Sequence, residues 1–130
     1  GVTGTFTQSG SNGINTGGGG TVTPPTSLHS VHIVNIGGAF PGADYTVNLT
    51  GTQSGTFHIT GGSVGDGTFT YSSTSSGAVL ILNYTSEGAI GDRDTMNMTF
   101  STATAGTFNG SQLTGNQEHT DFSGTFDSAN

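Results

Sequence analysis

The sequence predicts an all-β, antiparallel fold: a β-sandwich or small barrel of about eight or nine strands, with an N-terminal strand on a Gly-rich linker. Three observations carry that expectation. Threonine makes up 24 of the 130 residues, and its branched side chain suits a pleated surface. Glycine is equally frequent, with 24 residues, which favours turns and bulges. Apolar and polar residues alternate with a period of two along most of the chain. The core is thin, because Leu, Ile, Val and Phe together number 26 and no cysteine is present to staple them. The net charge of −7 arises from eight acids and one arginine. So few charges do not describe a solvated disordered tail.

Each element follows from that alternation. Val2, Gly4 and Phe6 share one face, and Thr3, Thr5 and Thr7 share the other. Residues 8–27 read as a linker, with four consecutive glycines and Pro24-Pro25. Residues 1–27 therefore form an arm and linker, and 28–130 the body. LHSVHIVNI (28–36) is a strand whose alternation breaks, which predicts a bulge. DYTVNLT places Tyr45, Val47 and Leu49 inward, and GTFHIT places Phe57 and Ile59 inward. GTFTYS does the same with Phe69 and Tyr71. AVLILNY (78–84) is continuously apolar and reads as a strand covered on both faces. TMNMTF turns Met96, Met98 and Phe100 inward, and GTFNGSQL and DFSGTF close the chain. Loops fall at 37–42, 61–67 and 86–94.

The tripeptide Gly-Thr-Phe occurs at 4–6, 55–57, 67–69, 106–108 and 124–126. Its uneven spacing excludes a fixed-period solenoid. Gly opens or bends each strand, Thr faces solvent and Phe plugs the core. The first copy sits on a linker that reaches about 60 Å when extended. A tethered amphipathic strand can pair in its own molecule or complete the open edge of a neighbour. In the second case Val2, Gly4 and Phe6 are the donor plugs. The receiving core is then Phe57, Phe69, Leu80, Leu82, Met96, Met98, Phe100, Phe122 and Phe126. A head-to-tail exchange of this kind builds a homopolymer.

Candidate chemistry is sparse. The lack of lysine and the single Arg93 argue against nucleic acid and anionic membrane surfaces as partners. The most apolar run, AVLIL (78–82), is too short to insert in a membrane as a helix. His29 and His32, three apart on a strand, point to opposite faces and do not chelate together; His58 and His119 show no ligand spacing. Asp92, Asp94 and Glu87 offer oxygen ligands for calcium. The plainer reading is a hairpin loop in which Arg93 offsets local acid charge. Glu87 and Glu118 lie in separate loops, and no nucleophile motif occurs, so no cofactor and no catalysis is expected. Sequons occur at Asn48, Asn83, Asn97 and Asn109. Asn48 and Asn97, on outward faces, are the candidates for glycosylation.

The stretch AVLILNYTSEGAIGDRDTMNMTFSTATAGTFNGS, with FSGTF after it, resembles Thr/Gly-rich β-domains of bacterial secreted and cell-surface proteins. That resemblance implies an extracellular or surface location without catalysis. The sequence reading is a non-enzymatic extracellular fibre subunit that polymerises by donating residues 2–7. The alternative is a monomeric adhesive or carbohydrate-binding module, with loops 61–67 and 86–94 as its binding face. A third reading is a small-barrel carrier of an apolar ligand.

Overall fold

The computed structural model describes residues 22–129. The plugs Val2, Gly4 and Phe6 and most of the linker lie outside the described residues. Eight strands follow one another: β1 (Ser30–Gly38), β2 (Asp44–Thr50), β3 (Ser54–Gly61), β4 (Gly65–Ser73), β5 (Ala78–Tyr84), β6 (Arg93–Phe100), β7 (Ala105–Leu113) and β8 (His119–Ala129). Each is antiparallel to the next, and β8 pairs with β1 to close an up-and-down barrel. Of the two architectures open to the sequence, the barrel forms. Closure lets one sheet bury its apolar face against itself, which suits a chain with few large apolar residues.

Alternation places the side chains as expected. Val31, Val47, Phe57, Phe69, Leu80, Met96, Phe108 and Phe126 are among the buried residues filling the barrel. The outward face is polar, as in Thr46 and Asn48 of β2 or Thr68 and Thr70 of β4. A lipid-facing barrel shows the reverse alternation. The bulge expected in β1 is present, where the register against β8 shifts between Asn35 and Gly37. One expectation fails. β5 is not covered on both faces: Ala78, Leu80 and Leu82 point inward, whereas Val79 and Ile81 lie half-buried on the outer surface. A single-layer barrel has no second layer to cover them.

Pairing explains the repeated tripeptide. Across β3 and β4, Gly55 faces Phe69, Thr56 faces Thr68 and Phe57 faces Gly67. Across β7 and β8, Gly106 faces Phe126, Thr107 faces Thr125 and Phe108 faces Gly124. Two copies running antiparallel thus interlock reciprocally. Each Phe has a facing glycine that puts no side chain in its way, while the threonines pair outside. Edge-on aromatic contacts join these units to their neighbours, Phe57 with Tyr84 at 5.2 Å and Phe100 with Phe126 at 4.8 Å between ring centroids.

One end of the barrel is sealed by the chain itself. Residues 22–28, mostly read as linker from sequence, cross this end. The Val22 amide donates to the Phe100 carbonyl at 3.0 Å. Pro24 and Leu28 are buried, and the Tyr71 hydroxyl donates to the Pro25 carbonyl at 2.7 Å. Burial pushes the Tyr71 hydroxyl pKa up to about 12, so it stays protonated and able to donate. Tyr71→Phe is expected to cost about 1 kcal/mol, the net worth of one such hydrogen bond. Urea denaturation measures it; an unchanged midpoint would show that the strap adds nothing through this bond.

Every strand of the described barrel is paired on both sides. The residues assigned from sequence as a receiving core fill the barrel's own interior. An arm from a neighbour therefore finds no vacant strand position in this body unless a resident strand leaves.

Candidate functional site

The opposite end is open. It carries the loops β1–β2, β3–β4, β5–β6 and β7–β8, and a cavity of about 290 Å³ opens among them. The two loops expected from sequence to share a binding face both reach it, through Gly62, Ser63 and Val64 of one and Ala89 of the other. Four large apolar side chains are exposed among the described residues: Ile36, Phe40, Val64 and Ile90. All four lie at this end, on the β1 bulge or in the loops. Phe40 adopts a left-handed backbone with φ of 57°, a conformation that costs a bulky residue about 1 kcal/mol or more.

Beneath this apolar rim the wall is polar. β6 alternates inward through Asp94, Met96, Met98 and Phe100, so the strand that fills the core with three apolar residues also carries a carboxylate into the mouth. Asp94 is 4% exposed. It accepts from the Tyr84 hydroxyl at 2.8 Å and from Gln112 Nε2 at 2.9 Å. Burial raises its pKa, opposed by these two hydrogen bonds and reinforced by nearby Asp92. Tyr84 and Tyr45 are both pushed well above the usual phenol range, chiefly by burial and next by the Asp94 charge.

Asn35 completes the polar set. β1 carries Val31, Ile33 and Asn35 on its buried face. Asn35 is 3% exposed, and its Oδ1 has no hydrogen-bond partner. An orphaned buried acceptor of this kind costs about 1–3 kcal/mol. The sequence reading overlooked Asn35, yet the parity of Val31 and Ile33 already points it inward. The parity of Met96 and Met98 does the same for Asp94.

The three carboxylates named as possible calcium ligands lie apart. Asp94 points into the barrel, held by Tyr84 and Gln112, whereas Asp92 Oδ1 accepts from the Gly115 amide at 3.0 Å, linking two loops. Glu87 is exposed in the β5–β6 loop. Among the described residues no three His, Asp or Glu side chains converge as a metal site would require. The strand boundary is the reason, since β6 begins at Arg93 and leaves Asp92 in the loop while Asp94 enters the barrel interior. The glycosylation candidates are both on the outer face. Asn97 is exposed, while the Asn48 amide donates to the His58 carbonyl and to Thr60 Oγ1, each at 3.1 Å.

The histidines mark the outer surface instead. His32 on β1 bridges Asp44 of β2 at 2.6 Å and Asp127 of β8 at 3.0 Å. His58 pairs with Asp66, and His119 with Asp121. The hydrogen bond to Asp44 raises the His32 pKa above 6.5; burial opposes it, and Asp127 adds a lesser upward push. A raised histidine pKa stabilises the fold fully below its unfolded value, and that contribution fades as pH rises through the folded value. Exposure limits it to about 1 kcal/mol at most. Wild type should thus lose its advantage over His32→Gln between pH 5.5 and 8.5. Equal differences at both pH values, read from denaturant midpoints, would contradict this.

Comparison of the chain with protein-family models, curated proteins and solved structures finds no match. Fold and geometry define the class: a closed eight-stranded barrel, strapped at one end, with a polar-walled cavity at the other.

Proposed function

We propose that this protein is a non-catalytic binding module that takes a small molecule into the open barrel mouth. One observation carries the reading: Asn35, whose buried Oδ1 has no hydrogen-bond partner, lines the same cavity as the buried Asp94. Polar atoms so placed destabilise an empty barrel and become useful when a ligand satisfies them. The strained, exposed Phe40 at the rim supports the same reading. Eight strands give an interior just wide enough to be filled or to hold one small ligand. Here Leu28 and the aromatic residues fill one part, and the mouth is left open. A lone buried carboxyl can also serve as an acid or base, but this one is engaged by two neutral donors with no other acid or histidine around the cavity.

The test is amide NMR of the full chain titrated with single-ring alcohols, amides, amines and acids. Shifts should concentrate at Asn35, Tyr45, Ser63 and Ala89. They should vanish in Ala89→Trp, which blocks the mouth from a loop. Shifts confined to the outer face, or none, would reject the site. Polymerisation by residues 2–7 is the competing proposal, and its support is the amphipathic pattern of that segment. Polymer from the full chain, absent when residues 1–20 are removed, would favour it over the binding module.

A further inference from the structure

We propose that the ligand is a small organic ammonium ion, with Asp94 as its counter-ion, Asn35 Oδ1 as a second acceptor and an apolar body under the rim. This rests on the cavity being a ligand site. The chain has no lysine and one arginine. That arginine, Arg93, precedes Asp94 on β6, so alternation turns it outward, where it is exposed. No histidine lines the cavity. The buried carboxylate therefore has neutral donors, Tyr84 and Gln112, and no cation of its own. Buried carboxylates are otherwise paired or protonated. Burial, with only neutral donors in contact, raises the Asp94 pKa.

Asn35, in the wall of the same cavity, has the same polarity. Asn35 Oδ1 accepts and cannot donate, as does the carboxylate. An ammonium group carries three donors and no acceptor, the complement of both. A neutral hydroxyl would satisfy one acceptor and leave the charge unmatched. A carboxylate ligand would be repelled. Calcium or magnesium takes six or more oxygens, most of them from carboxylates or water, and one carboxylate does not build that shell. The remaining wall is aromatic: Phe40, Tyr45, Tyr84 and Phe122 all border the cavity. Aromatic faces attract cations as well as apolar groups. The net charge of −7 adds a long-range pull of the same sign. A volume of about 290 Å³ is at the small end for ligand pockets, which suits a single ring or short chain.

Calorimetry with the full chain and three matched probes tests this: benzylamine, benzyl alcohol and phenylacetate. Benzylamine should bind about tenfold or more tighter than benzyl alcohol, the margin of a charge-assisted over a neutral hydrogen bond. Phenylacetate should not bind. Asp94→Asn should bring the amine-to-alcohol ratio close to one. A second measurement needs no variant. Tyr84 and Gln112 face the carboxyl, with Tyr45 and Asp92 nearby, and of the titratable groups among these Tyr45 and Tyr84 stay protonated. Lowering the pH through the Asp94 titration should therefore weaken benzylamine and leave benzyl alcohol unchanged. If the alcohol binds as tightly as the amine, or the amine shows no such pH dependence, the ammonium assignment is overturned and the ligand site stands. If no probe binds and none shifts the cavity amides, the ligand site falls, and the assignment with it.

Discussion

Gly67→Val should lower stability by about 3 kcal/mol or more, although valine is the better strand former. A Cβ added at Gly67 would run into the backbone carbonyl oxygen of Asn83 and lie 2.7 Å from the Phe57 ring. The ring can yield, but the carbonyl belongs to the β4–β5 ladder and cannot. Strand propensity is worth up to about 1 kcal/mol, so the clash decides the sign. Trimming Phe57 to alanine in the same chain should not restore the loss, because the backbone contact remains. Urea unfolding of the three variants checks this. A Gly67→Val protein as stable as wild type would mean that the Asn83 carbonyl does not lie against Gly67.

Phe69→Ala should cost about 3–5 kcal/mol, the range for a buried aromatic truncated to a methyl group. Phe69 is 1% exposed, and its cross-strand partner is Gly55. No side chain at the facing position can swing in to fill the space. Small domains hold about 5–15 kcal/mol in total, so this one ring accounts for a large share. Thr68→Val, one residue away and facing solvent, should stay within about 0.5 kcal/mol. Thermal and denaturant midpoints report both. Comparable losses at 68 and 69 would contradict the inside–outside assignment of β4.

The relation between these two residues shows where local reading stops. The sequence places Phe inward and Thr outward in each Gly-Thr-Phe copy, and the structure agrees for the four copies it describes. The glycine is read from sequence as a strand start or bend. In the structure it lets a backbone carbonyl of the flanking strand approach closely, that of Thr50, Asn83, Thr99 or Val34 at the four copies, which depends on register between strands. The same distinction applies at the mouth. The parity that turns Met96 and Val31 inward also turns Asp94 and Asn35 inward, so both were legible as inward-facing. Asp94, Asp92 and Glu87 are close along the chain, but the start of β6 at Arg93 leaves Asp92 and Glu87 in the loop and carries Asp94 inside.

What the amino-acid order determined alone is local: strands at these positions, the face each residue takes, the bulge in β1 and the loops that end up at one pole. Period-two alternation and the conformational needs of Gly, Pro and Thr act over a few residues, so they can be read without a fold. Whether the sheet remains open, stacks on another or closes was decided only in three dimensions. Closure depends on strand tilt and stagger summed over eight strands, and on the pairing of β1 with β8, which joins Ser30 to Ala129. That pairing occupies the edge an incoming strand would need. It also gathers Asn35, Tyr45, Tyr84, Asp94 and Gln112 from five strands into one mouth.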